Sequence, residues 1–345
     1  MTRRVRHLVS PLSTLATRSL LPVAVGLALA SAGCSSDPAT EDANARAGDI
    51  TAPETWGDIK LTGAVTIAAG VTVDIAPGAN ITCGEGSRIF VSGTLRARAA
   101  AKHAKISCPQ WAGLLVKEGG KLDLEGLDLE NARVGVGLDV QSAESRFVDG
   151  SIVGSFNPIV VSPGTKLTVE RVKASAPEKV GDTEVSISEI HGTLIAKRLD
   201  YDARANEGLS VKKGGELVLE DSTVKGENGL DMVSTYAAKS LEISYSTFSG
   251  SHCGIHIEGV DAFEIDHVTS EGNIFGITIY GSGAGPNVVR ASNFSGTSAW
   301  LDFQGDNGPI TFDGVYTSGK EIMLGGPVPS IQNTPAAPLP DAKPR

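Results

Sequence analysis

LTGAVTIAAGVTVDIAPGANITCGEGSRIFVSGTLRARAAAKHAKISC, residues 61–108, reads as a run of short β-strands. Val, Ile and Thr alternate with small or polar residues, and Gly, Pro or Asn interrupts them every few positions. Branching at Cβ stiffens χ1 and suits a pleated surface, whereas Gly, Pro and Asn supply turn geometry. No helical period runs through the stretch, and the same punctuation recurs to about Gly319.

The recurrence has a measurable step. Gly-x-aliphatic strands begin at Gly113, Gly135, Pro158, Gly208, Gly229, Gly254 and Gly276, with spacings of 22, 23, 50, 21, 25 and 22 residues. The spacing of 50 is two coils, with VSIS at 185–188 as the intervening strand. A second set of strands (LDLEGLDL, LTVERVKA, LVLEDSTV, LEISYSTF and FEIDHVTS) keeps the same phase. Each repeat of about 23 residues therefore holds at least two strands, the signature of a β-helix. Leucine-rich repeats share the period but need a Leu framework and an Asn ladder, which this chain lacks. Alternate side chains point inward and stack one coil apart. Parallel crossovers are right-handed. The expected fold is an all-β, right-handed parallel β-helix solenoid of about ten coils over residues 49–324.

Residues 1–33 carry four arginines and no acid, and residues 20–33 form an apolar run. Fourteen residues are too few for a comfortable membrane span and fit the core of an export signal. The run ends in Ser31-Ala32-Gly33-Cys34, which resembles a bacterial lipoprotein signal, with Ser31 where Leu is usual. The resemblance implies cleavage before Cys34 and lipidation of that residue, an anchor in the cell envelope, and an outer-membrane address. An ordinary signal peptide is the alternative. Residues 34–48 read as a flexible tether, and residues 325–345, with six prolines, as a disordered tail.

The chain after residue 33 has 26 basic and 40 acidic residues. That balance repels phosphate backbones and argues against nucleic acid as a partner. The membrane, through the lipid, and a polysaccharide or an envelope protein are the partners the sequence suggests.

The entry ITAPETWGDIKLTGAVTIAAGVTVDIAPGANI, with Trp56, T-G-x-V-T-I, A-G-V-T and I-x-P-G, is similar to the first coils of bacterial envelope members of the pectin-lyase-like superfamily. The resemblance covers about residues 50–320. It implies the fold and no single activity, because lyases, hydrolases, epimerases, adhesins and spacers share that fold. Polygalacturonase signatures are missing. Ile265-Asp266-His267 is similar to the I-D-H of pectate lyases, but their R-x-P-x-x-R segment is absent, so Asp266 and His267 read as turn or surface residues.

Cys83 and Cys108 are 25 residues apart, one coil, which predicts a disulfide across stacked rungs; two stacked buried thiols are the alternative. Cys253 reads as a buried inert thiol. No His/Cys spacing for a metal occurs. Acid pairs at 123/125, 128/130 and 220/221 would suit Ca²⁺, but such pairs on a strand ordinarily face solvent, so no cofactor is expected.

The residue between the two inward aliphatics of each strand faces outward. This places Asp139, Val160, Ser186, Ser210, Asp231, His256, Thr278 and Asp302 in one row, with Lys212, Glu258, Tyr280 and Gln304 beside it. Lys212, Asp231, His256, Glu258, Tyr280 and Asp302 are the expected binding face, and Asp231, His256 and Glu258 the candidates for acid–base work on a glycan. Aromatic platforms are few: Tyr280, Trp300 and Tyr236. The sequence points first to a non-catalytic envelope lipoprotein with a binding or spacer surface. A tethered polysaccharide lyase or glycoside hydrolase is the alternative.

Overall fold

The computed structural model describes residues 44–178 and 185–345. The expected signal segment, Cys34 and the start of the expected tether lie outside them. The described residues form 29 strands and no helix.

One coil shows how the sequence builds the rest. Leu209–Val211 is the first strand, Glu216–Glu220 the second, and residues 223–225 the third. The next coil lies on it in parallel register, Leu209 beside Val233, Leu217 beside Leu241 and Val224 beside Phe248. Each coil thus carries three strands, where the sequence pattern required at least two. Stacked coils give three parallel ladders, and the molecule is a parallel β-helix. The first ladder runs through thirteen strands, from residues 48–50 to Glu321–Leu324.

Alternation fills the interior. Val65, Ile89, Leu114, Val136 and Ile159 stack in one inward row of the first ladder, and each has 0% exposure. Burying such a side chain stabilises the fold by about 1.5–3 kcal/mol, and each coil gains this only against its neighbours. The third ladder adds Tyr201, Phe248 and Phe294, all buried.

The corners follow from turn chemistry. After Leu209–Val211, the Gly215 amide donates to the Lys212 carbonyl at 2.8 Å, and Gly214 between them has φ of 75°. A side chain there would be strained, which explains the K-K-G-G signal. The corner between the second and third ladders instead uses Asp149, Arg171, Arg198, Asp221, Tyr245 and His267, all at positive φ. Arg171 there makes a bidentate pair with Asp149, one coil away, at 2.5 and 2.8 Å. Cys83 and Cys108 occupy successive coils, with Cα atoms 5.0 Å apart, and are joined by a disulfide.

Four details differ from the sequence reading. The chain joins the sheet earlier than residue 49, because Ala45–Ile50 pairs with Ile59–Ile67. The strand in the long coil is Ser188–Ile190, not residues 185–188; Ser186 turns inward, is fully buried, and donates to the Phe156 carbonyl. The strand after Gly229 is also displaced: Val233, Ser234 and Thr235 occupy the first-ladder register, while Leu230 is 46% exposed. A register shift between Lys225 and Gly229 gives that coil two residues more than the next, and its first-ladder strand lies three positions later than the Gly229 pattern put it. Finally, residues 325–345 are ordered. Ser330–Gln332 pairs with Thr311–Asp313, because the strand falls between prolines rather than on them. The remainder turns back along the third ladder, where Asn293 binds the Leu339 amide and carbonyl at 2.7 and 2.8 Å and Thr269 binds the Ala342 carbonyl. The Arg345 guanidinium sits 3.2 Å over the Tyr245 ring.

Candidate functional site

The outward row of the first ladder is read directly from the register. Val160, Glu189, Ser210, Ser234, His256, Thr278 and Asp302 are successive partners. Ser210, His256, Thr278 and Asp302 are where the sequence put them. Asp139 is two residues off, since Gly137 and not Asp139 pairs with Val160. Ser186 is replaced by Glu189, and Asp231 by Ser234, for the phase reasons given above. Asp231 pairs with Cys253 instead.

Asp231 nevertheless reaches the predicted neighbour. Its Oδ2 lies 2.6 Å from His256 Nδ1, and the two side chains are only 12% and 15% exposed. Burial opposes charge on His256, but the hydrogen bond and charge of Asp231, with Glu258 and Glu207 behind it, raise the imidazole above its ordinary pKa. The other imidazole nitrogen, Nε2, is buried without a hydrogen-bond partner.

The expected face is solvated; the observed row is not. Ser210, Ser234, Thr278 and Asp302 are buried in spite of pointing away from the aliphatic interior. They are satisfied laterally. Ser234 Oγ donates to Glu207 Oε1 at 2.6 Å and lies 2.8 Å from Ser210 Oγ. Asp302 accepts from the Tyr280 hydroxyl at 2.6 Å and from Gln304 Nε2 at 2.9 Å.

A second row stands at the surface: Lys212, Tyr236, Glu258, Tyr280 and Gln304. Glu258 is exposed and the others half-buried. Tyr280 enters this row through a bulge, since Ile257 pairs with Ile279 but Glu258 with Gly281. A bulge re-aims one side chain, and here it sets the Tyr280 ring edge-on to His256, with centroids 5.2 Å apart. Burial and then the charges of Glu207 and Asp231 push the Tyr236 phenol up to about 12. Burial and the bond to Asp302 raise Tyr280 further. Both phenols therefore keep their protons at neutral pH. Trp300 is a buried side chain that packs edge-on against Phe312 at 5.6 Å, so it offers no surface platform.

Glu207, Ser234 and His252 were not legible. Glu207 precedes its strand, Ser234 is hidden by the phase shift, and His252 belongs to no repeat position. His252 Nδ1 lies 3.7 Å from Asp231 Oδ1 and 3.3 Å from Cys253 Sγ. Cys253 is buried, and desolvation together with the nearby Asp231 charge raises its thiol pKa.

Most of the acids considered for Ca²⁺ are engaged by basic side chains one coil away. Asp123 meets Arg98 and Arg146, Asp128 meets His103, Glu130 meets Lys105, and Glu220 meets Lys197. The basic run 97–105 thus has a role the sequence did not show, as the partner of the next coil's acids. At the I-D-H segment, His267 occupies a positive-φ corner and stacks on Tyr245, with centroids 4.7 Å apart.

No family model and no curated protein matches the chain. Among solved structures it is similar to the A-module of the mannuronan C-5 epimerase AlgE6 of Azotobacter vinelandii, with a TM-score of 0.55 and 14% identity over 82% of this chain and 85% of that one. At that identity the likeness carries the fold: both chains wind as parallel β-helices.

Proposed function

We propose that the surface row Lys212, Tyr236, Glu258, Tyr280 and Gln304 is a carbohydrate-binding face. The carrying observation is the fixed placement of this row on successive coils by the buried network beneath it. Tyr280 is held by Asp302 and Gln304, and Tyr236 lies under Lys212. Donors repeated at the strand spacing of about 4.8 Å match hydroxyls along an extended glycan, and positioning before binding removes an ordering cost.

The charge of the face selects the glycan. Asp231, Glu258 and Glu207 act on His256, and Asp302 lies against Tyr280, so a polyuronate would meet repulsion. The favoured ligand is a neutral or amino-bearing polysaccharide. This departs from what the epimerase name implies for that protein, whose named substrate, mannuronan, is a polyanion. Calorimetry of the full chain against neutral, amino-sugar and uronate oligosaccharides tests the reading. Binding of the first two and not the third is expected; preferential binding of the uronate would overturn it.

One observation favours a second reading as an acid–base enzyme, namely the close His256–Asp231 pair. Turnover of a glycan that falls by at least ~10² in His256→Ala, with the fold intact, would establish it. Loss of affinity alone would place His256 with the binding side chains.

We further propose that the chain is an envelope lipoprotein held by Cys34, within the pectin-lyase-like superfamily. The support is the apolar run ending in Ser31-Ala32-Gly33-Cys34 for the anchor, and the entry segment with Trp56, T-G-x-V-T-I and I-x-P-G for the superfamily. Cys34→Ser should release the protein from membranes and abolish palmitate labelling. Continued detergent-sensitive association of that variant would reject the anchor.

A further inference from the structure

Asp231, Cys253 and His256 come from two neighbouring coils, and one ligand-capable atom of each lies within 4.8 Å of the other two. The strand register brings this about. Asp231 is the in-register partner of Cys253, and His256 follows Cys253 by three residues on the same coil. His252 adds a fourth donor, 3.3 Å from Cys253 Sγ and 3.7 Å from Asp231 Oδ1.

A tetrahedral Zn²⁺ with bonds of about 2.0–2.3 Å keeps its ligand atoms roughly 3.3–3.8 Å apart. The two His252 separations fall in that interval, whereas the 2.6 Å contact between Asp231 Oδ2 and His256 Nδ1 is a direct hydrogen bond that metal binding would have to open. We propose that Asp231, Cys253 and His256, closed by His252 as the fourth ligand, bind a zinc-like divalent transition metal. This does not depend on the carbohydrate reading, because it concerns side chains beneath and beside the surface row.

Two imidazoles, a thiolate and a carboxylate select a borderline-soft ion over Ca²⁺ or Mg²⁺, which take oxygen cages. Thr278 Oγ1, 3.3 Å from Cys253 Sγ, is placed to hydrogen-bond the sulfur from outside the ligand set. The unpartnered Nε2 of His256 shows that the protein's own groups do not exhaust this imidazole. His252 is the solvent-facing side of the cluster. Its side chain is 52% exposed and borders a groove of about 320 Å³ that also touches Leu230, Ser251, Asn273 and Ile274.

The test uses the full chain carrying Cys34→Ser, which leaves Cys253 as the one thiol outside the disulfide. Chelator-treated protein is titrated with Co²⁺ and then with Zn²⁺. One equivalent should bind, with a sulfur-to-cobalt charge-transfer band in the near ultraviolet that Zn²⁺ abolishes and excess Ca²⁺ does not. Cys253→Ser should remove the band. His252→Ala, a change at an exposed side chain that leaves the interior untouched, should weaken Co²⁺ binding by at least ~10-fold. His103→Ala, at the distant pair with Asp128, should change nothing. Absence of the band at stoichiometric cobalt would overturn the proposal, as would cobalt affinity that is unchanged in His252→Ala.

Discussion

Lys212 holds its ammonium 4.5 Å from the centre of the Tyr236 ring, one coil further along the solenoid. The pair couples two coils and fixes the single lysine of the surface row over an aromatic face. A cation over a partly desolvated ring contributes about 0.5–2 kcal/mol. Tyr236→Ala should therefore free Lys212 and reduce oligosaccharide affinity by about 10-fold, read by calorimetry, with unchanged thermal unfolding. Unchanged affinity would remove the pair from the binding face.

Asp123 supplies a pH prediction. Hydrogen bonds from Arg98 and Arg146 outweigh its burial and lower its pKa from 3.8 to about 2. The folded state thus favours the carboxylate. The contribution is complete above pH 3.8 and disappears as pH falls through about 2. Both arginines are more than 40% exposed, so solvent screening reduces the contribution to about 1 kcal/mol. Urea unfolding of Asp123→Asn should show a flatter acid dependence between those pH values than the parent chain. Parallel curves would contradict the assignment.

The Cys83–Cys108 bridge closes a loop of 25 residues. Cross-links of that span stabilise by about 3 kcal/mol through the unfolded chain. The double serine variant should lose roughly that amount in denaturant unfolding while keeping its β-sheet circular dichroism. Since both cysteines lie on early coils, the polar face some hundred residues on should bind as before.

The ordered tail gives a prediction about the other end. Deleting residues 334–345 removes the Asn293, Thr269 and Tyr245 contacts. The shortened chain should lose about 1–3 kcal/mol, from two or three hydrogen bonds at about 1 kcal/mol each. Amide exchange should quicken first at residues 293–295 and 269–271. No change in exchange there would show that the tail carries no stability.

The fold was legible because a β-helix writes each turn as a local signal. Gly164 after Pro163, or Gly214 before Gly215, marks a corner whatever surrounds it, and Leu217 and Leu241 repeat at the coil length. The third strand of each coil was harder to see, since Tyr201, Val224 and Phe248 are inward positions of short, mostly polar strands. The site was legible only in part. Gly229-Leu230-Asp231-Met232 imitates the repeat, whereas the true strand is Val233-Ser234-Thr235, whose outward and inward positions both carry hydroxyls. Asp231 reached His256 by a route that periodicity does not encode: it sits off the row and leans into it. The cluster with Cys253 and His252 escaped for a related reason. Its members are distant in sequence on one side and adjacent on the other, and no ligand spacing rule covers a gap set by coil length.

In a solenoid, each coil holds only its neighbours, so an exposed last coil can peel away without disturbing the one before. The segment beyond Asn333 alters that rule here, because it runs across the coils instead of around them. Asn293, Thr269 and Tyr245 stand on successive turns, and one strip of chain touches all three. Peeling the end coil first requires lifting the strip. Once the strip is lifted, several turns lose a partner together. Fraying that would be gradual becomes a single step with a threshold. The turns that carry Tyr236, His256 and Tyr280 are the tied ones, so this part of the polar face persists or vanishes as one object. A pulling experiment from Arg345 should accordingly show one large release before the evenly spaced small ones.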